Sequence, residues 1–83
     1  MLREDGGMEV SIVEQNLKQA REHIALGSRH IARQREIVAE IKERGGNSAE
    51  AERLLAAFEH SQAMHLEHRD RLERELEAFK SRN

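Results

Sequence analysis

The sequence predicts an all-α fold: an antiparallel two-helix hairpin of coiled-coil type, expected to dimerise into a four-helix bundle. Three observations carry this expectation. Apolar residues recur in alternating steps of three and four along two stretches of nearly equal length, a single Gly45-Gly46-Asn47 break divides them, and the 83 residues contain no proline to interrupt either one.

The elements follow in order. Residues 1–8 contain a glycine pair and no periodicity, and read as a flexible N-terminal arm. The first helix is expected over 9–44, opening between Met8 and Ser11, where Ser11 and Glu14 match a capping box; a start earlier than Ser11 is the alternative. Its seam is Val10, Val13, Leu17, Ala20, Ile24, Ile31, Val38 and Ile41, with Gly27 and Gln34 standing where the pattern calls for apolar residues. Lys42 and Arg44 suit the negative end of the helix dipole, and Gly45 suits the left-handed conformation that ends a helix. The turn is placed at 45–47. The second helix is expected over 48–81, with Asn47 and Glu50 as a second capping box and Glu50 and Glu52 near its positive end. Its seam reads Ala51, Leu55, Phe58, Gln62, His65, Arg69, Leu72, Leu76 and Phe79.

A turn this short forces the helices to lie antiparallel, so residues whose numbers sum to about 92 should face one another. Val13 then meets Phe79, Ala20 meets Leu72, Gln34 meets Phe58 and Ile41 meets Ala51. The same register sets His65 opposite Gly27, where the missing side chain would make room for an imidazole.

Both helices carry apolar arcs wider than a two-helix seam needs. Met8, Ile12, Leu26 and Ile37 flank the first seam, and Leu54, Ala57 and Leu66 widen the second. Arcs of this width belong to helices inside a bundle, so a homodimer is the expected assembly, with docking on another protein as the alternative. A chain of this size has a small core of its own, and the absence of cysteine removes disulfides and thiolate metal sites as sources of further stability.

Charge narrows the function classes. The net charge of −2 comes from interleaved acids and bases, which offers no like-charge run for a phosphate backbone, and the two aromatics, Phe58 and Phe79, make no stacking platform. Nucleic acid is therefore not an expected partner. Neither is the membrane, since no apolar run approaches the roughly 20 residues of a span and no signal-peptide core is visible. The expected location is the cytoplasm.

The oddest feature is a polar layer within the seams, made of His23, His30, Gln34, Gln62, His65 and Arg69. Read structurally, the three histidines are partly buried, with the two glutamines and Arg69 as hydrogen-bond partners and Glu73 or a second subunit supplying an acceptor to Arg69. Such layers specify register and partner number at some cost in stability. The alternatives are a pH-sensitive switch, since histidine titrates near neutrality, and a metal site drawing on His23, His30, His65 and His68. Against the metal, no histidine has the Glu-x-x-His spacing of carboxylate-bridged di-iron bundles, and no His-Glu-x-x-His occurs. His60 reads as a surface residue. No cofactor is expected. Nor is an enzyme, because the chain has no cysteine nucleophile, no serine in a Gly-x-Ser-x-Gly setting and no strand-to-helix phosphate loop.

The stretch His30-Ile-Ala-Arg-Gln-Arg-Glu-Ile-Val38, the turn Gly45-Gly46-Asn47, and the segments Ala49 to Glu59 and His65 to Leu72 resemble short uncharacterised bacterial helical-hairpin proteins. That resemblance covers roughly residues 20–76 and implies a small bacterial protein with no assigned activity or site residue. The functional expectation is thus a non-enzymatic protein-protein interaction module, a small adaptor or regulator acting as a homodimer. A histidine-rich bundle binding iron or zinc is the alternative.

Overall fold

The computed structural model describes the backbone of residues 2–82 and the side chains of residues 10–81. It consists of two antiparallel helices, α1 (Leu2–Glu43) and α2 (Ala49–Arg82), of 42 and 34 residues. Together they form a rod whose Cα trace measures 65 × 15 × 14 Å.

α1 begins earlier than its periodicity suggests. It is helical from Leu2, so residues 2–8 continue the helix instead of forming an arm, and Ser11 lies inside it rather than at its cap; Met1 is outside the described residues. Glycine within a helix costs about 1 kcal/mol relative to alanine, but extending an existing helix needs no new nucleus, so a glycine pair does not have to end it.

The turn has clear physical causes. Gly46 N–H donates to Ile41 O at 2.9 Å, Gly45 N–H donates to Lys42 O at 3.0 Å, and Gly45 takes φ 76°: together these make a Schellman motif. A Cβ on Gly46 would stand 3.1 Å from Ile41 Cγ2, so this second glycine lets the chain pass close over the last turn of α1. α2 is then capped by Ser48, whose carbonyl accepts from Glu52 N–H at 2.8 Å and whose buried hydroxyl donates to Glu52 Oε2 at 2.5 Å. Asn47 Oδ1 accepts from Ala49 N–H at 3.0 Å. The Asn47–Glu50 capping box is therefore replaced. With Ser48 as the capping residue, the position three further on is Ala51, which has no carboxylate to return.

The core is a narrow strip between the helices. Its apolar members are Val13, Leu17, Ala20, Ile31 and Val38 from α1 and Leu72 from α2. Leu76 and Phe79 pack against the Val13, Leu17, Ala20 and Leu72 cluster, as the expected register requires at this end; nearer the turn the contacts differ, with Phe58 packed on His30 and Gln34 reaching Ala51. No large side chain among the described residues is completely buried. Two helices alone leave many seam residues, among them Ile24, Ile41, Leu55 and Phe58, only partly buried, a direct consequence of the large surface-to-volume ratio of a rod this thin.

Beside each seam run two columns of side chains, one on either flank of the rod. On one flank Arg21, Arg35 and Lys42 of α1 reach Glu73, Glu59 and Glu52 of α2 at 3.2, 3.1 and 3.9 Å. These basic residues recur at heptad spacing, and so do their acidic partners. The other flank carries His23, His30 and Ile37 from α1 and Leu54, Ser61 and His68 from α2, again at heptad spacing.

Candidate functional site

The polar layer divides into two groups with different surroundings. Gln34 and Gln62 are buried and span the seam: Gln34 Nε2 donates to Ala51 O at 2.9 Å, and Gln62 Nε2 donates to Ile24 O at 2.9 Å and to Ser28 Oγ at 3.1 Å. The carboxamide of Gln62, not the His65 imidazole, occupies the space at Gly27. A Cβ on that glycine would overlap Gln62 Oε1 and stand 3.0 Å from Cδ. Gln62 Oε1 is buried without a hydrogen-bond partner, lodged against the glycine where only a weak Cα–H contact is available.

The histidines lie elsewhere. His23 and His30 are exposed, and only His65 is half-buried, so they are not core hydrogen-bond partners of the glutamines. His23 and His65 meet ring to ring at 5.5 Å between centroids, tilted by 46°, while His30 packs on Phe58 at 5.8 Å. The reason for the split is position. His23 and His30 stand one place before the seam residues Ile24 and Ile31, which rotates them about 100° from the seam onto the flank. Arg69, half-buried, has its acceptor within its own helix: Asp70 Oδ1 at 2.9 Å, with Glu73 Oε1 at 4.0 Å. His60 and His68 are exposed.

His23, His30, His65 and His68 line one side of the rod, and so do the exposed Leu26, Leu54 and Met64. A cleft of about 310 Å3 is walled by His23, Leu26 and His30 from α1 and by Phe58, Ser61 and His65 from α2, with Gly27 and Gln62 as its floor. Toward the turn it is followed by a shallower depression between Ile37 and Leu54, bordered by Ala57 and Glu50. Away from the turn, Ser61 and His65 are shared with a third hollow that includes Met64, His68 and Arg71. The exposed large hydrophobics are Ile12 (53%), Leu26 (48%), Leu54 (46%) and Met64 (58%). Leu26, Leu54 and Met64 line these three hollows, and Ile12 stands two heptads before Leu26 in the same column. Leu66 differs: it is half-buried at the heptad position of Glu59 and Glu73, on the bridged flank.

Among the described residues, no group of three or more histidines and carboxylates is arranged to hold a metal ion, and no helix is long and apolar enough to cross a membrane. His23 and His65 come together; His30 and His68 do not join them in a single cluster.

Sequence reasoning found Ile12, Leu26, Ile37, Leu54 and Ala57 but missed Met64 and the three interhelical ion pairs. Both had a signal. Met64 continues the Leu54, Ala57, Ser61 column in steps of three and four, and the bridged pairs share one residue-number sum. Compared with known protein families, curated proteins and solved structures, the chain matches none of them.

Proposed function

We propose that this chain is a non-enzymatic protein-protein interaction module, a small adaptor or regulator that acts as a homodimer in the cytoplasm. The observation that supports this reading is the alignment of Leu26, Leu54 and Met64, each about half exposed, along one flank of a rod whose other flank is closed by ion pairs. Singly exposed hydrophobics are ordinary on any protein surface, but a row of them on one face favours a partner. The thin core adds a motive, since association supplies the burial that the hairpin lacks. The clefts are open to water, and although Glu50, Arg53 and Arg71 line them beside apolar groups and imidazoles, acid-base chemistry favours a water-poor pocket.

Sedimentation equilibrium of the pure protein tests the homodimer. A mass of twice 9.6 kDa is expected in the micromolar range, and a monomer at every concentration would overturn it. The metal-binding alternative is supported by the His23–His65 ring pair, which supplies two neighbouring ligands where a structural zinc site takes four. Elemental analysis of untagged protein separates the two readings: stoichiometric iron or zinc favours the alternative, and a metal-free dimer favours the interaction module.

A further inference from the structure

We propose that His23, His65 and His68 form a binding site for an exchangeable divalent ion of the zinc class, a clasp across the flank that the ion pairs leave open. The site goes beyond the interaction reading above and does not depend on whether the chain dimerises.

The first two ligands are already in place. Two imidazoles bound to one tetrahedral zinc through bonds of about 2.0 Å have their centroids about 5 Å apart. The rings of His23 and His65, one from each helix, stand 5.5 Å apart. Among the described residues no hydrogen bond or ion pair engages either ring, or that of His68, so each neutral imidazole keeps a lone pair for an ion.

Register brings the third. Ile37 and Leu54 share one hollow of this flank, and His30 and Ser61 share the next. One heptad further, back along α1 and forward along α2, the corresponding pair is His23 and His68. His68 also follows His65 at a spacing that sets both side chains on one face, and the two line a common hollow. The three rings are not gathered round one point as they stand. But His68 is exposed, and an exposed side chain changes rotamer within nanoseconds. Water completes the coordination on the open side. His30 lies outside the site: it is about 10 Å from His23 along α1 and packs on Phe58.

The surroundings choose the ion. Neither of the two hollows that His65 joins is lined by a carboxylate. Nitrogen ligands suit zinc, nickel and copper, whereas magnesium and calcium require oxygen. With Arg71 lining the same hollow as His65 and His68, and no carboxylate to offset the charge of the ion, binding falls in the exchangeable, micromolar range. An ion held in this way leaves during purification, so protein that is metal-free as purified still takes one up on titration.

The test is calorimetric titration of Zn(II) into the untagged full chain after treatment with chelator. One ion per chain is expected, with no response to Mg(II). His23→Ala and His65→Ala should each weaken binding by at least about tenfold, a loss found even for groups that only orient a ligand. His68→Ala should weaken it by less, because its ring has to turn inward, and His30→Ala and His60→Ala should leave it unchanged. An ion that joins the two helices also stabilises the folded hairpin: Zn(II) at a hundredfold excess over its dissociation constant should raise the melting temperature by about 10 °C. His23→Ala, at an exposed position, should keep its helix by circular dichroism and lose that shift. The absence of saturable zinc binding overturns the site, and so does a loss in His60→Ala equal to that in His23→Ala. One ion per two chains, with zinc-driven association in sedimentation, overturns it as well, since the ion would then join chains and not helices. Unchanged affinity in His68→Ala overturns the third ligand. Sedimentation in chelator decides the homodimer reading separately.

Discussion

The two flanks of the rod come from the same pair of helices and the same heptad repeat, yet their chemistry is opposite. On one, Arg21, Arg35 and Lys42 reach across to glutamates, and Gln62 extends beneath Gly27 to Ser28. On the other, histidines and half-exposed leucine and methionine line a row of open hollows. The contrast teaches that one flank is enough to hold an antiparallel register. The ion pairs are weak individually, but a one-heptad slip would leave a single Arg or Lys of this row facing a glutamate and set Arg21 or Arg35 opposite Leu66. The opposite flank is thereby free of that task and can carry side chains suited to a partner.

The largest expected effect compares two leucines of α1. Leu17 is 3% exposed in the core cluster and Leu26 is 48% exposed on the open flank. Leu17→Ala should cost about 2–5 kcal/mol in urea unfolding, whereas Leu26→Ala in the dissociated hairpin should cost less than about 1 kcal/mol. An equal, concentration-independent loss at Leu26 would mean that this flank is not open.

Gly27→Ala comes next. The new methyl meets the lodged Gln62 carboxamide, so a loss of about 1–3 kcal/mol is expected despite a gain of about 1 kcal/mol in helix propensity. In a Gln62→Ala background the same change should become neutral or stabilising, and a double-variant cycle measures the difference. Stabilisation by Gly27→Ala alone would remove the buried carboxamide from the account.

Gly45→Ala tests the turn that both flanks depend on. At φ 76° a side chain is strained, and a loss of about 1–2 kcal/mol in thermal unfolding is expected. The smallest effect belongs to the bridged flank. Arg35→Glu sets two carboxylates face to face where both side chains are about half exposed or more, so it should cost at most about 1 kcal/mol, shrinking as salt is added. Restoring the pair in reverse with Glu59→Arg should recover most of that loss.

Much of this molecule is legible along the chain. The steps of three and four predict both helices, Gly45 predicts the stop, and the short turn predicts antiparallel neighbours; the expected register agrees with the packing of Leu76 and Phe79 on the Val13 and Leu72 cluster, but toward the turn Phe58 meets His30 and Gln34 meets Ala51 instead. The wide apolar arcs also point to Leu26 and Leu54 as more than a two-helix seam requires. What the pattern could not resolve is the fate of each polar residue near the seam. Gln62 and His65 both occupy seam positions, yet one is buried beneath Gly27 and the other leans into the cleft toward His23.

The sequence by itself therefore determined the helices, their break and their antiparallel pairing, because these depend on local hydrogen bonding and on periodicity within one chain segment. Only the tertiary structure decided that the glutamines go in and the histidines go out, that Gly27 receives an amide, and that one flank closes while the other stays open. Those outcomes depend on the register between the helices, where a shift of one residue moves a side chain by about 1.5 Å along the axis and decides whether it meets a carbonyl, a glycine or water.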